Sequence, residues 1–234
     1  RNPFPNNPPN RDLVDINSVR VFINDFNDLN DIEQRANPGI AYALWTDGVS
    51  PITDFDLTTS GLIEEGSFHE LDRDQFFVDA RGYLIMRSGR VNRGFALGVA
   101  YRTLDGRDFG DLGFIPDPGN PNARVELKLI KARQQRPDYP TWDLSWRNVY
   151  GLAGRQIESE GFELRIVREV PGQDPVDNQG GVPYLQVFGL DTHTNGSSAS
   201  SPPDNLIDID GGSNLPGLNL ALGHLVFADL EPFG

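Results

Sequence analysis

The chain has 234 residues and carries 34 acidic against 20 basic side chains, a net charge of −14. Such a surface repels phosphate backbones and anionic lipid, which argues against nucleic acid and membrane surfaces as partners. There is no cysteine, so disulfides and thiolate metal sites are excluded.

The 25 glycines and 18 prolines predict many turns and irregular connections, and the length suits one large β domain or two smaller ones. No apolar run approaches the 18 or so residues of a membrane-spanning helix. Only Lys128 and Lys131 are lysines. An Asp-rich, Lys-poor surface hints at a salty habitat more than a hot one.

Residues 1–14 are rich in proline and asparagine and read as an extended linker or processed edge. Val19–Ile23 is the first predicted strand. The Asp-rich residues 25–37 carry one helical turn around Leu29–Arg35, and Ile40–Trp45 is a second strand. Residues 50–75 are mixed. Phe76–Val78 and Tyr83–Met86 flank a turn, as a hairpin does.

In the next strand the large residues Phe95, Leu97, Val99 and Tyr101 alternate with Ala96, Gly98 and Ala100. The small face predicts a close neighbour. Asp105-Gly106 signals a hairpin turn. Residues 113–122 read as a loop, and Val125, Leu127 and Leu129 resume the alternation.

Pro140-Thr141 is a plausible helix start. Trp142, Ser145, Trp146 and Val149 then recur at helical spacing, and Gly151 and Gly154 end the pattern. Residues 162–169 alternate as a strand, residues 171–181 form a polar loop, and Tyr184–Leu190 reads as another strand. Residues 191–204 are low in complexity and read as mobile. Leu225–Phe227 is the last strand. Residues 79–86 and 219–227 echo each other: a turn, an aromatic or histidine, then three apolar residues.

The whole reads as all-β and mainly antiparallel. It predicts sandwich-like or jelly-roll-like sheets, one short helix near 142–150 and long loops. The domain spans 15–234, with subdomains 15–104 and 105–234 as one way to divide it.

His69, His193 and His224 lie far apart and make no metal-binding spacing. No G-x-S-x-G elbow occurs, and Gly110-Asp111-Leu112-Gly113 lacks the lysine and helix of a phosphate loop. Glu64-Glu65 and Glu158/Glu160 are the carboxylate pairs a glycosidase would need. Asp191, Asp204, Asp208 and Asp210 are clustered hard oxygen donors of the kind calcium takes. Asp191–Gly196 has the opening spacing of a calcium loop, but its twelfth position is Pro202 and not glutamate. Trp45, Trp142 and Trp146 offer a sugar-stacking platform, although helical spacing makes Trp142 and Trp146 better packing residues.

Several stretches, taken in order, resemble one family. They are Val19–Phe26, Arg81–Ile85, Phe95–Tyr101 with Asp105-Gly106 and Gly110-Asp111, and Leu127–Lys131. Trp142-Asp143-Leu144 with Arg147–Tyr150, Phe162–Ile166, Phe188–Asp191 and Phe227–Gly234 follow. The chain resembles the N-terminal repeat domain of the SprA (Sov) family, the outer-membrane translocon of type IX secretion and gliding motility in Bacteroidota. Its Ser/Pro-rich loop after Asp191 departs from that pattern.

The resemblance implies a non-enzymatic β-rich segment of the cell envelope, outer-membrane-associated, periplasmic or at the cell surface. It would have a structural or partner-contacting role in protein transport, with secretion-system subunits or cargo proteins as partners. It transfers no catalytic residue and no cofactor. Trp142, Trp146, Tyr150, Phe162, Glu231 and Phe233 are then structural signature positions. The alternatives are a carbohydrate-binding β-sandwich and, after it, a secreted hydrolase.

Overall fold

A computed structural model of the protein describes residues 14–46, 50–53, 61–78, 83–86, 91–115, 117, 123–152, 154, 156–198, 200–209, 217–229 and 232–233. They divide into two compact units, one ending at Ser145 and one starting at Trp146. The described residues are mostly β, with two four-residue helices, α1 and α2, among them. Residues 1–13 of the expected linker lie outside the described residues, while Val14 already bridges Thr103.

The first unit contains β1 (Arg20–Asn24), α1 (Asp31–Gln34), β2 (Asn37–Tyr42), β3 (Ile63–Glu70), β4 (Phe76–Val78), β5 (Leu84–Met86), β6 (Ala96–Arg102), β7 (Asp108–Phe109) and β8 (Val125–Lys131). Its main sheet runs β1-β3-β2-β8-β6, and β6 pairs back onto β1 from Arg20↔Ala100 to Asn24↔Ala96. The sheet is therefore a closed five-stranded barrel, not the open layers of the expected sandwich or jelly roll. Strand directions cannot alternate all the way round a ring of five, so one neighbouring pair must be parallel. Here it is β2–β8, with Gly39↔Val125 through Tyr42↔Lys128 in register.

A five-stranded barrel is narrow, so large and small side chains must alternate inside it. Phe22, Phe68, Val125, Leu127 and Leu129 fill the interior against Ala41, Ala43, Ala96 and Ala100. The small face of β6 has its close neighbour: a Cβ on Gly98 would lie 2.8 Å from Leu127 Cδ1. Gly39 is hemmed in the same way by Val125 Cγ1 at 2.7 Å and Phe68 Cδ2 at 2.9 Å. On its inward face β1 also carries Arg20. That guanidinium grips Glu70 with two bonds of 2.7 and 2.6 Å and donates to the Leu112 and Phe114 carbonyls.

The outer face of β1 and β6 is apolar too. Val19, Val21, Ile23, Leu97 and Val99 are covered by the β4–β5 hairpin through Phe76, Val78, Leu84 and Met86. The Asp105-Gly106 turn forms as expected, with Gly106 at φ 88° between Tyr101↔Phe109 and Arg102↔Asp108 of β6 and β7. A division after residue 104 would separate β6 from its barrel neighbour β8; the chain divides instead after Ser145.

The expected helix at 142–150 is a single 3-10 turn, Trp142–Leu144, and Ser145 is already extended at φ −90°, ψ 138°. The reason is compositional. Trp, Asp, Ser, Asn, Val and Tyr are all weak helix formers, and helical spacing alone does not offset that.

The second unit contains β9 (Val149–Gly151), β10 (Asn178–Gln179), β11 (Val182–Pro183), α2 (Tyr184–Val187), β12 (Gly217–Asn219) and β13 (His224–Val226). A three-stranded antiparallel sheet, β12-β13-β9, backs a core of Leu185, Leu190, Ile207, Leu218, Leu225 and Phe227. Of the two echoing sequences, the first contributes β5, paired antiparallel with β4, while its residues 79–82 lie outside the described residues; the second lies in the antiparallel pair β12–β13.

Two expected strands here take other forms. Residues 184–190 begin as helix α2, since Tyr184 and Leu185 are buried and Phe188 falls one turn on. Gly189 at φ 66° closes the turn as the Leu190 N–H reaches the Leu185 carbonyl. Residues 162–167 keep the alternation, with Phe162, Leu164 and Ile166 packed on the core and Glu163, Arg165 and Val167 exposed, but they sit in no ladder.

Candidate functional site

The acidic residues singled out for calcium lie in the loop that joins α2 to β12, and this loop is ordered by side chains more than by secondary structure. Asp191 is 2% exposed. Its carboxylate accepts the Asp204 N–H at 3.1 Å, the Asn205 N–H at 3.0 Å and Gln186 Nε2 at 3.0 Å. Asp204 accepts the N–H groups of Asn195 and Leu206. Asn195 answers by accepting the Ile209 N–H and donating to the Ile207 carbonyl. The expected mobile segment is thus a folded clasp over residues 190–209, excepting Ala199, which lies outside the described residues.

Asp208 closes the other side of the clasp. Its Oδ2 accepts the Thr192 N–H at 2.8 Å and the Thr192 hydroxyl at 2.5 Å, and it lies 3.2 Å from His193 Nδ1. Both members of the His193–Asp208 pair are buried. Reading His193 as a loop histidine missed this, because the carboxylate that partners it comes fifteen residues later and only the fold brings the two together. Among the described residues, nothing donates to the buried Asp208 Oδ1.

Calcium needs several oxygens converging on one point. Five of the six carboxylate oxygens of Asp191, Asp204 and Asp208 face N–H or O–H donors instead. Asp210 lies outside the described residues, and among the described residues no group of three or more metal-ligating side chains is arranged to hold an ion.

The structural signature positions converge in part. Tyr150, Phe188, Phe227 and Phe233 form one aromatic cluster with centroids 5.2–5.6 Å apart, edge to face as the ring quadrupoles prefer. Phe162 packs on the adjoining core. Glu231 lies outside the described residues. Asn148 ties this sheet edge to the cluster: its Nδ2 donates to the Phe227 carbonyl at 2.6 Å, and the Phe227 N–H returns to the Asn148 carbonyl.

The other candidates do not assemble. Trp45 is half-buried, 5.9 Å from Phe109, with its indole N–H on the Tyr42 carbonyl. Trp142 and Trp146 are half-buried, and the 3-10 turn ends at Leu144, so no helix carries them both.

Glu64 and Glu65 are consecutive in β3 and point to opposite sides of the sheet. Glu64 accepts the Arg133 N–H, and burial pushes its carboxyl above the usual range. Glu65 pairs with Arg124 at 2.7 Å, beside a shallow open groove lined by Pro38, Gly39, Gly66 and Ser67. Glu158 and Glu160 are exposed on a turn.

His69 is half-buried in β3 and its pKa is lowered, chiefly by burial. Both lysines serve the barrel. Lys128 donates to the Ala43 carbonyl and Lys131 to that of Phe95, and burial lowers the pKa of each. Among the described residues no helix is long and apolar enough to cross a membrane. No protein-family model and no curated protein matches the chain.

Proposed function

We propose that this chain is a non-enzymatic β module of a cell-envelope protein-export machine of the SprA (Sov) kind, with a structural and partner-contacting role. The observation that supports this reading is the aromatic cluster. Tyr150, Phe188, Phe227 and Phe233 come from three separate stretches that carry the resemblance, and they pack on one another in the second unit. Residues that pack on one another, with no chemistry among them, are what a scaffold or docking module requires. A sandwich- or jelly-roll-like layering would then describe how the second unit's sheet packs on neighbouring segments.

The test is genetic. Excision of the codons for residues 146–234 from the parent gene should abolish secretion of type IX cargo, with cargo trapped behind the outer membrane. Normal secretion, or a parent gene of only about 250 codons, would remove the reading.

A structural calcium is a second reading, favoured by a single atom. Asp208 Oδ1 is the one carboxylate oxygen of Asp191, Asp204 and Asp208 without a donor among the described residues. A saturable rise in Tm on calcium titration would support it, and an unchanged Tm would dismiss it.

A further inference from the structure

The strand expected at 162–169 has the composition and alternation of a strand and, up to residue 167, lacks a ladder partner. Phe162, Leu164 and Ile166 pack on the core, and Glu163, Arg165 and Val167 face solvent. No backbone hydrogen bond joins Glu163–Val167 to the rest of the chain among the described residues. Pairing begins only at Arg168, whose N–H and C=O exchange bonds with Val176 at 2.8 and 3.1 Å. In an extended chain the backbone groups of alternate residues point to opposite edges. Those of Leu164 and Ile166 therefore share the Val176 side with Arg168. Those of Glu163, Arg165 and Val167 point to the other edge, which has no backbone partner among the described residues.

We propose that this edge pairs antiparallel with the same segment of a second copy of the chain. The sequence selects the register. Centred on Leu164, Glu163 opposes Arg165 of the other copy, Arg165 opposes Glu163, and Phe162 opposes Ile166. Centred on Arg165, two guanidiniums face each other; centred on Glu163, two carboxylates do. Opposite charges across a strand pair stabilise it and like charges destabilise it, so of these three registers the first is the favourable one.

In that register Glu163 and Arg165 exchange the ladder bonds, which are the groups on that edge. Within one copy the two side chains are 3.6 Å apart and largely exposed, so little is lost when each turns to its opposite number. A symmetric pairing of this kind is isologous and closes at two copies. Charged side chains usually blunt an exposed edge, but Glu163 and Arg165 are complementary in this register, and the segment carries no proline. Such pairing is independent of any role in export.

Analytical ultracentrifugation of the full chain over a wide concentration range tests it. The wild type should show a monomer–dimer equilibrium. Glu163→Arg and Arg165→Glu should each weaken it roughly tenfold or more, because each puts like charges opposite in two symmetry-related places. The double swap should restore it to within about threefold of wild type.

Both side chains are exposed, so the variants keep the fold, which circular dichroism would verify. Amide exchange gives an independent readout. On dimerisation the Glu163 and Arg165 amides should gain protection while those of Leu164 and Ile166 do not. A wild type that stays monomeric at the highest soluble concentration overturns the proposal. So does a double swap as weak as the single variants, or protection on the even-numbered residues.

Discussion

The two units hold their chains in opposite ways. In the first, five strands close on themselves, and its described barrel strands find backbone partners on both sides. In the second, the ladders are two or three residues long, and much of the order comes from side chains bonded to backbone, as in the Asp191–Asp208 clasp, and from edge-to-face rings. The first arrangement spreads its stability over a continuous interior. The second concentrates it on a few polar atoms, each of which leaves stranded donors when removed.

That contrast is sharpest at single residues. Leu127 is fully buried in the barrel. Leu127→Ala should cost about 3 kcal/mol of unfolding free energy in urea and speed amide exchange along β1, β6 and β8 together. A loss under about 1 kcal/mol would mean the interior is not close-packed.

Asp191→Ala should cost about 2–4 kcal/mol in the second unit, because it strands the N–H groups of Asp204 and Asn205 and the Gln186 amide. Exchange should quicken first in residues 186–209. Uniform quickening over the unit would show the clasp to be part of one cooperative core. Phe233 is 59% exposed yet touches three rings. Phe233→Ala should cost only about 1 kcal/mol, read as a shift in denaturation midpoint.

The smallest effect concerns pH. Burial in β3 lowers the His69 pKa below 6.5, so the unfolded chain takes up this proton before the folded one does. The contribution is complete above pH 6.5 and is lost as pH falls through the folded-state value. His69→Gln should flatten the acid side of the stability profile of the first unit. An unchanged profile would assign that slope to other groups.

Legibility in the sequence follows the same division. Where a residue faces either core or solvent, period and turn chemistry were enough: β1, the β4–β5 hairpin, β6 with its Asp105-Gly106 turn, β8 and β13 stand close to where their patterns place them. β3 was not legible, because Phe68 is its only buried residue and Gly66, at φ 148°, interrupts the pattern. The helix at 142–150 and the strand at 184–190 failed for a common reason. Short apolar runs fit both periods, and propensity, glycine position and partners decided between them.

Closure of the barrel left no mark on any local window, since β1 meets β6 and β2 meets β8 across most of the unit. At the candidate site, the clustering of Asp191, Asp204 and Asp208 was visible. That their oxygens face backbone N–H groups was not, because a carboxylate reads alike to a cation and to an N–H donor.

The parallel pair in the barrel also bears on the order of assembly. Strands β1, β3 and β2 can zip together early, but β2 and β6 wait for β8, which brings residues 125–128 against residues 39–42. Contacts so distant along the chain make for slow folding, since loop-closure entropy is lost before any packing compensates it. A chain cut or stalled before Val125 would carry two exposed strand edges, with the large interior side chains of β8 missing between them. Such a fragment is a template for aggregation. The last barrel strand to be synthesised therefore acts as a folding checkpoint for the unit, and truncations on either side of residues 125–131 should separate sharply into aggregating and soluble products.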